Sequence, residues 1–270
     1  MLASVSAKHT GRIAITTAIV GVLVVSGAVL LALAGLVLVH HLAPAIYRES
    51  SNTVVGSFHM VVSGVFGILI AFAALLVWQQ FNSTYETTQR EASELATIYW
   101  HAEGFPESER QQVQELARLY AQVVIEEEWP LMGQGQESSQ AWAIVDELRR
   151  SVDGLEPSTS REQALHAEEV TLVDDLMDNR RLRLLQSREG LPPILWVILL
   201  GGAPVLVGFS YLFEMKNFRA HLVLVAMLTA VIVGVLYSVK AIEYPFTGDV
   251  RVPPSAFELV LNRFEAEGNS

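Results

Sequence analysis

Residues 54–78 read VVGSFHMVVSGVFGILIAFAALLVW, and residues 79–103 continue as QQFNSTYETTQREASELATIYWHAE. The first stretch contains no Asp, Glu, Lys or Arg. Since a helix rises about 1.5 Å per residue and a bilayer core is about 30 Å thick, this stretch is long enough to cross a membrane. In the second stretch apolar residues recur every three or four positions until Gly104 and Pro106 interrupt the pattern. The whole stretch therefore predicts one continuous helix over 54–103, roughly 75 Å long.

Three further windows lack charged residues, at 13–39, 191–213 and 222–239. The last one spans a bilayer only if its flanking residues, among them Lys240, lie at the interfaces. Basic residues precede the first window and a small-residue motif lies within it, so a cleavable signal peptide is an alternative there. Its apolar run of 27 residues exceeds the about 7–15 of a signal peptide. We expect four retained transmembrane helices.

Composition agrees with a membrane protein. The chain of 270 residues is 51% hydrophobic and 17% charged, with a mean hydropathy of +0.35, whereas soluble proteins carry about 25% charged residues. Residues 79–190 hold 22 acidic and 10 basic residues, a net charge of −12, and the remainder sums to +1. These values exclude a disordered chain, a soluble globule and a nucleic-acid-binding protein, which needs a basic surface. The absence of cysteine excludes disulfides and zinc–thiolate sites.

The basic residues near the span ends predict the orientation, because they accumulate on the cytoplasmic side. Four spans place both termini and residues 79–190 on one side. That side has nine such residues, against three on the other (Arg48, Lys216 and Arg219). The nine are Lys8, Arg12, Arg90, Arg180, Arg181, Arg183, Arg188, Lys240 and Arg251. We expect a multi-pass membrane protein with both termini and residues 79–190 in the cytoplasm. The arginines at 180–188 are interpreted as a topology signal near anionic headgroups, with specific lipid binding as the alternative.

The hydrophilic segment is predicted to be helical throughout. Apolar spacing indicates helices over 107–129 and 139–152, and Ser160 with Gln163 forms a capping box that opens a long helix into the third span. A short amphipathic helix is expected after the fourth span, with Phe257, Val260, Leu261 and Phe264 on its apolar face. The fold is thus an all-α membrane protein with a helical cytoplasmic domain between spans two and three. Its segments are 1–53 (first span and outer loop), 54–103 (second span and its extension), 104–190 (cytoplasmic domain), 191–243 (spans three and four) and 244–270 (cytoplasmic tail).

No catalytic motif is present, and we expect neither enzymatic activity nor a cofactor or bound metal. There is no Walker loop and no His-Glu-x-x-His sequence. Three consecutive carboxylates at 126–128 point about 100° apart on a helix, so they are interpreted as a solvated face. His40, His41, His59 and His221 all fall toward the outer face, where they form either a proton or metal site or a set of interfacial side chains.

The second span has two distinct faces. The residues of one face are spaced by four and three and are bulky and apolar in the middle: His59, Ser63, Phe66, Ile70, Ala73 and Val77. The other face carries small residues, which let helices approach closely in lipid: Gly64, Gly67, Ala71 and Ala74. We predict that the first face lines a pore, where rings of Phe66 and Ile70 would gate by dewetting. The alternative is that this face meets lipid or the other three helices.

Two features of the later spans bear on function. Pro204, which follows two glycines, indicates either a tolerated kink or a discontinuous helix with an ion site. Lys240 and Glu243 are three residues apart and predict an ion pair. A second hypothesis has Glu243 accepting hydrogen bonds from the turn around Phe246 and Gly248.

Several motifs, taken in order, resemble the bestrophin-like family of mostly bacterial membrane proteins. They lie between about Val54 and Phe264 and comprise Gly64-x-x-Gly67 with Ala71-Phe72, Glu86 and Glu91, Tyr120, Glu128-Trp129-Pro130, Leu191-Pro192 with Trp196, Tyr211-Leu212-Phe213, Pro245-Phe246-x-Gly248, Val252 and Phe257. Glu243 stands where the family pattern carries Asp. The resemblance implies, through true bestrophins, a pentameric channel whose long second helix lines an apolar neck. The calcium clasp of animal bestrophins has no counterpart that we identify here.

Three functions are compatible with the sequence. The leading hypothesis is a homo-oligomeric ion channel in a lipid bilayer, pentameric if the resemblance holds, which passes inorganic ions and whose anionic cytoplasmic side concentrates cations. The second is a non-conducting, membrane-anchored scaffold that docks a cytosolic partner through residues 104–190. The third is a small secondary transporter that uses Lys240, Glu243 and the kink at Pro204.

Overall fold

The computed structural model describes residues 2–42, 52–157, 159–213, 215 and 217–268. Every regular element in these ranges is a helix. The α-helices are α1 (Leu2–Leu42), α2 (Asn52–His101), α3 (Glu107–Val123), α4 (Trp129–Met132), α5 (Ser139–Asp153), α6 (Ser160–Gln186), α7 (Pro193–Ser210), α8 (Phe218–Ile242) and α9 (Ser255–Gly268). Arg48 and Lys216, which entered the orientation argument, lie outside the described residues, as do the side chains of Lys8 and Arg12.

Four of these helices are long and apolar enough to cross a membrane, as predicted. The second is the first half of α2, which runs without a break through the change from apolar to charged sequence. Pro193 opens α7 in its first turn, where its missing N–H costs no hydrogen bond. The helix continues through Pro204 to Ser210.

The chain divides into two compact units. The span unit comprises the described residues of Met1–Gln79, Gly190–Glu243 and Gly248–Val250. In it, α1 packs closely on α8 because glycine leaves room for an aromatic ring. A Cβ added at Gly21 would lie 2.7 Å from the Tyr237 ring, and the Tyr237 hydroxyl donates a hydrogen bond to the Thr17 carbonyl.

The charged unit comprises the described residues of Gln80–Glu189, Tyr244–Thr247 and Arg251–Ser270. Its core is formed by the second half of α2 together with α3–α6 and α9. The amphipathic face predicted for α9 is confirmed, since Phe257 and Phe264 are fully buried in this core. The C-terminal helix therefore belongs to the same compact unit as residues 80–189.

One local prediction in the charged unit is confirmed and one is wrong. The chain is helical over the predicted 107–129, with a π-helical turn at Val124–Glu128, and the helix continues through Pro130 to Met132. The capping box of α6 is formed one residue earlier than predicted, by Thr159 and Glu162. Both pairs have the right residue types at the right spacing, and only the Thr159 side chain lies where it can accept from the backbone N–H of Glu162.

Candidate functional site

The face of α2 that was predicted to line a pore is largely buried inside the subunit. Phe66, Ala73 and Val77 retain 5%, 1% and 0% of their accessible surface. The Phe66 ring packs on α7, where a Cβ added at Gly202 would lie 2.6 Å from it. Ile70 is partly buried against the same core. The pore-lining prediction is therefore wrong for Phe66, Ala73 and Val77, because a bulky apolar side chain fills space between helices of one subunit as readily as around an axis.

His59 and Ser63 begin the same face and are half-buried. The His59 ring meets the Phe213 ring edge-on, with 5.3 Å between centroids. His59 Nδ1 and Ser63 Oγ are both buried, and neither has a hydrogen-bond partner among the described residues. These two polar atoms lie at the end of the span unit where α2 begins.

The opposite face of α2 is exposed. Gly64, Gly67 and Ala71, which were predicted to pack against other helices, are exposed in the subunit, and nothing lies within 4 Å of a Cβ added at Gly64 or Gly67. Only Ala74 of that set is partly buried. The first three therefore do not pack on helices of their own subunit, and packing between subunits stays a prediction. We call the row of exposed residues along this face, each three or four positions from the next, the outward stripe: Val61, Gly64, Ile68, Ala71 and Leu75.

Glu243 joins the start of α7 to the end of α8. Its side chain is 2% exposed and its Oε1 accepts hydrogen bonds from the Leu191 N–H at 3.0 Å and the Trp196 Nε1–H at 2.8 Å. The predicted ion pair is confirmed, with Lys240 Nζ 2.5 Å from Oε2. The hypothesis that the turn after Pro245 supplies the donors is wrong, because Leu191 and Trp196 do so.

The turn that follows α8 holds its shape by other contacts. The Val252 N–H donates to the Pro245 carbonyl at 2.7 Å. Phe246 is buried and meets the Trp129 ring edge-on, with 5.3 Å between centroids. Gly248 adopts a φ of 73°, a conformation that glycine takes without steric cost. The motif residues of this turn are therefore structural.

A network of four charged side chains is completely buried in the charged unit. Glu128, which the π-helical turn points inward, lies between Arg180 and Arg183, and Arg183 Nη2 donates to it at 2.8 Å. Arg183 also donates to both oxygens of Glu91, at 2.6 and 2.9 Å. The Tyr120 hydroxyl donates to Glu91 at 2.6 Å. The network joins α2, α3, the π-helical turn and α6 at one point.

The charges of this network stabilise one another. Burial alone would raise the pKa of Glu128, but the Arg183 and Arg180 guanidiniums outweigh it and hold that pKa below its usual value. Burial would likewise lower the pKa of Arg183, while Glu91 and Glu128 raise it well above the ordinary value. Glu128 and Arg183 therefore stay ionised. Such a group fixes the geometry of helices and carries no exposed reactive atom.

Two sequence interpretations are corrected by this network. Arg180 and Arg183 are fully buried, so they cannot contact headgroups as predicted, whereas Arg181 and Arg188 are exposed. The carboxylate run at 126–128 is solvated only in part, because Glu128 is buried. One signal for the arginines was available. They share a helical face with the apolar Leu176 and Leu184, as the spacing of α6 shows.

The short motif after the network is also structural. The Trp129 Nε1–H donates to the Val252 carbonyl at 3.1 Å, which ties α4 to the segment before α9. Pro130 occupies the first turn of α4.

The described residues contain no group of three or more His, Asp or Glu side chains placed to hold a metal ion. Of the four histidines singled out in the sequence, His40 and His41 contact each other edge-on. His59 and His221 line one cavity, and His221 Nε2 lies 2.9 Å from the Ser210 carbonyl oxygen. That carbonyl can only accept, so Nε2 carries a proton.

Two comparisons with known proteins bear on this chain. The comparison with curated proteins finds no match. The family model described as the bestrophin-like domain matches residues 26–257, which include all or most of each of the four spans and most of the charged unit. With its four apolar helices and this match, the chain is a membrane protein that belongs to the bestrophin-like family.

Proposed function

We propose that this protein is a homo-oligomeric ion channel of the bacterial cytoplasmic membrane, in which the outward stripe of α2 faces the central axis. The observation that carries the proposal is the division of α2 into two faces. Phe66, Ala73 and Val77 are buried by packing within the subunit, whereas the outward stripe is apolar and exposed. The stripe replaces the face first predicted from the sequence.

The spacing of the outward stripe suits an apolar neck. Val61, Ile68 and Leu75 are 66%, 71% and 50% exposed and lie seven residues apart, so copies around an axis would form rings about 10.5 Å apart. Gly64 and Ala71 separate them and allow neighbouring helices to approach closely. A narrow apolar ring of this kind gates by dewetting, since an ion cannot cross it without its hydration water.

Charge supports the orientation and the permeant ion that we propose. With Arg180 and Arg183 removed from the count, seven basic residues near the span ends still favour the side of residues 79–190, against three on the other side. The charged unit and both termini would then be cytoplasmic. The net charge of −12 over residues 79–190 would concentrate cations at the inner mouth of the pore.

The test compares one substitution on two helices. Ile68→Ala shortens the outward stripe, and Ile198→Ala removes the same atoms from an exposed position of α7. In planar bilayers the first variant should raise single-channel conductance severalfold because its ring is wider, and the second should conduct like the wild type. Native mass spectrometry in lipid should show an oligomer, with five subunits expected from the resemblance to bestrophins.

The channel proposal would be overturned if neither the wild type nor Ile68→Ala conducts in planar bilayers and the protein is a monomer in lipid. The scaffold that docks a cytosolic partner would then be the better proposal. The transporter alternative requires Glu243 to exchange partners during a cycle. Because Glu243 accepts hydrogen bonds from Leu191, Trp196 and Lys240 at once, that alternative has less support.

A further inference from the structure

A cavity of about 460 Å³ lies in the span unit where α2 begins, α7 ends and α8 begins. Its volume falls within the range of about 300–1,000 Å³ that small-molecule sites occupy. Apolar side chains form most of its wall, chiefly Phe213, Met215, Leu224 and Leu228. The flexible thioether of Met215 can adapt to the shape of an apolar ligand.

The polar groups at this cavity are few and incompletely satisfied. His59 lines the wall, and its Nδ1 is buried with no hydrogen-bond partner among the described residues. Ser63 lies beyond the wall, one turn further along the same face of α2, and its Oγ is likewise buried with no partner in the described part of the chain. His221 is different, because its Nε2 is already bonded to the Ser210 carbonyl. Leaving a buried polar group without a partner is unfavourable, so these two atoms favour a ligand that hydrogen-bonds to them.

We propose that this cavity binds a single-chain amphiphile of the fatty-acid class. The acyl chain would lie against Phe213, Leu224 and Leu228, and the carboxyl group would reach His59 and Ser63. A carboxylate accepts hydrogen bonds from the Ser63 hydroxyl and from a protonated His59 Nδ1, and a neutral carboxylic acid donates to an unprotonated Nδ1. Either form therefore satisfies both side chains.

The composition of the wall argues against other ligand classes. Among the described residues that form it, none is a lysine or arginine that could neutralise a phosphate, sulfate or other multiply charged anion. A metal ion is unsupported, because the described residues provide no group of three or more suitable ligands. The inference is independent of conduction, since the cavity lies on the side of α2 away from the outward stripe.

The experiment measures equilibrium binding of radiolabelled dodecanoic acid and of dodecane to the full chain in lipid nanodiscs. Leu228→Trp fills the cavity and should weaken dodecanoic acid binding at least tenfold. Met227→Trp, a neighbouring position that is exposed and not part of the wall, is the matched control and should bind like the wild type. His59→Phe keeps an aromatic ring against Phe213 but removes Nδ1. It should weaken dodecanoic acid binding about tenfold, as loss of one hydrogen bond to a charged group predicts, and should leave dodecane binding unchanged.

Three results would overturn the proposal. Equal binding by the wild type and by folded Leu228→Trp would show partition into the bilayer only. Equal weakening of dodecane and dodecanoic acid by His59→Phe would remove the role of the carboxyl group. A wild type that retains a copurified diacyl phospholipid in native mass spectrometry and excludes dodecanoic acid would assign the cavity to a different lipid. If the melting temperature shows that Leu228→Trp does not fold, Leu224→Trp fills the same cavity from a more exposed position.

Discussion

The Phe66 ring lies directly on the backbone of Gly202, so closely that a Cβ added at Gly202 would lie 2.6 Å from the ring carbon Cε2. The preceding residue, Gly201, has nothing within 4 Å of a Cβ added there. One residue therefore fixes how α2 packs on α7, and its neighbour does not. This contact belongs to the core in which the bulky face of α2 is buried, while the outward stripe stays exposed.

Gly202→Ala is expected to destabilise the protein, because the added methyl group must displace the Phe66 ring from a packed site. Overpacking of this kind costs about 1–3 kcal/mol. Gly201→Ala introduces the same atom into open space and serves as the control. Thermal unfolding of both variants in detergent checks the prediction, and equal melting temperatures would show that the contact does not constrain α2.

The spans could be predicted from sequence because crossing a bilayer requires an uninterrupted run of apolar residues, which is a local property. Which face of α2 packs inward could not be predicted from sequence. A helix that is apolar all round has no periodicity that separates lipid from neighbouring helices. Which face packs inward depends on Gly202, a residue more than a hundred positions away on another helix.

The charged network shows the same limit in the charged unit. The network brings together side chains from distant parts of the chain: Glu91, Glu128 and the two arginines of α6. In the sequence alone, a charged residue without a nearby partner is expected to be solvated. The arginines of α6 were therefore interpreted as a membrane-surface signal, although their position on the apolar face of the helix indicates a core. By contrast, the apolar spacing of α9 was sufficient, because a single helix carries that whole signal.

Glu128→Gln should destabilise the charged unit strongly. The amide removes the negative charge that Arg180 and Arg183 share, and leaving a buried charge uncompensated costs about 3–5 kcal/mol. Glu126→Gln makes the same chemical change two residues earlier at an exposed position, where surface charge contributes about 0–1 kcal/mol. Thermal unfolding should separate the two variants clearly. Equal melting temperatures for Glu128→Gln and Glu126→Gln would contradict the assigned role of the network.

Glu243 should show a graded response to substitution. In Glu243→Gln the amide oxygen can still accept from Leu191 and Trp196, while the amide NH2 replaces the oxygen that accepts from Lys240. The half-exposed Lys240 can turn to water, so the loss should be about 0–1 kcal/mol. In Glu243→Ala two buried N–H groups lose their acceptor, and each costs about 1–3 kcal/mol. Melting temperatures should therefore fall in the order wild type, Gln, Ala. Equal losses for Gln and Ala would mean that charge, and not hydrogen bonding, holds the two helices together.

The stability of the charged unit should fall as the pH rises from about 4.5 to about 8, because of Glu169. Burial, and secondarily the neighbouring Glu168, raises the pKa of this carboxyl from 4.5 to about 8. Its nearest basic group is His101, with Nδ1 3.6 Å from a carboxylate oxygen. The folded state thus holds the proton more tightly than the unfolded state does. The contribution of Glu169 to the free energy of unfolding is therefore complete below pH 4.5 and is lost as the pH rises past 8. One proton gives a slope of at most about 1.4 kcal/mol per pH unit. Burial also raises the pKa of Glu94 in the same unit, from 4.5 to about 7. Glu169→Gln should therefore reduce the slope below pH 7, remove it between pH 7 and 8, and melt above the wild type at pH 8, whereas Glu168→Gln, at an exposed position, should retain the slope. If the slope between pH 7 and 8 persists in Glu169→Gln, a different group is responsible.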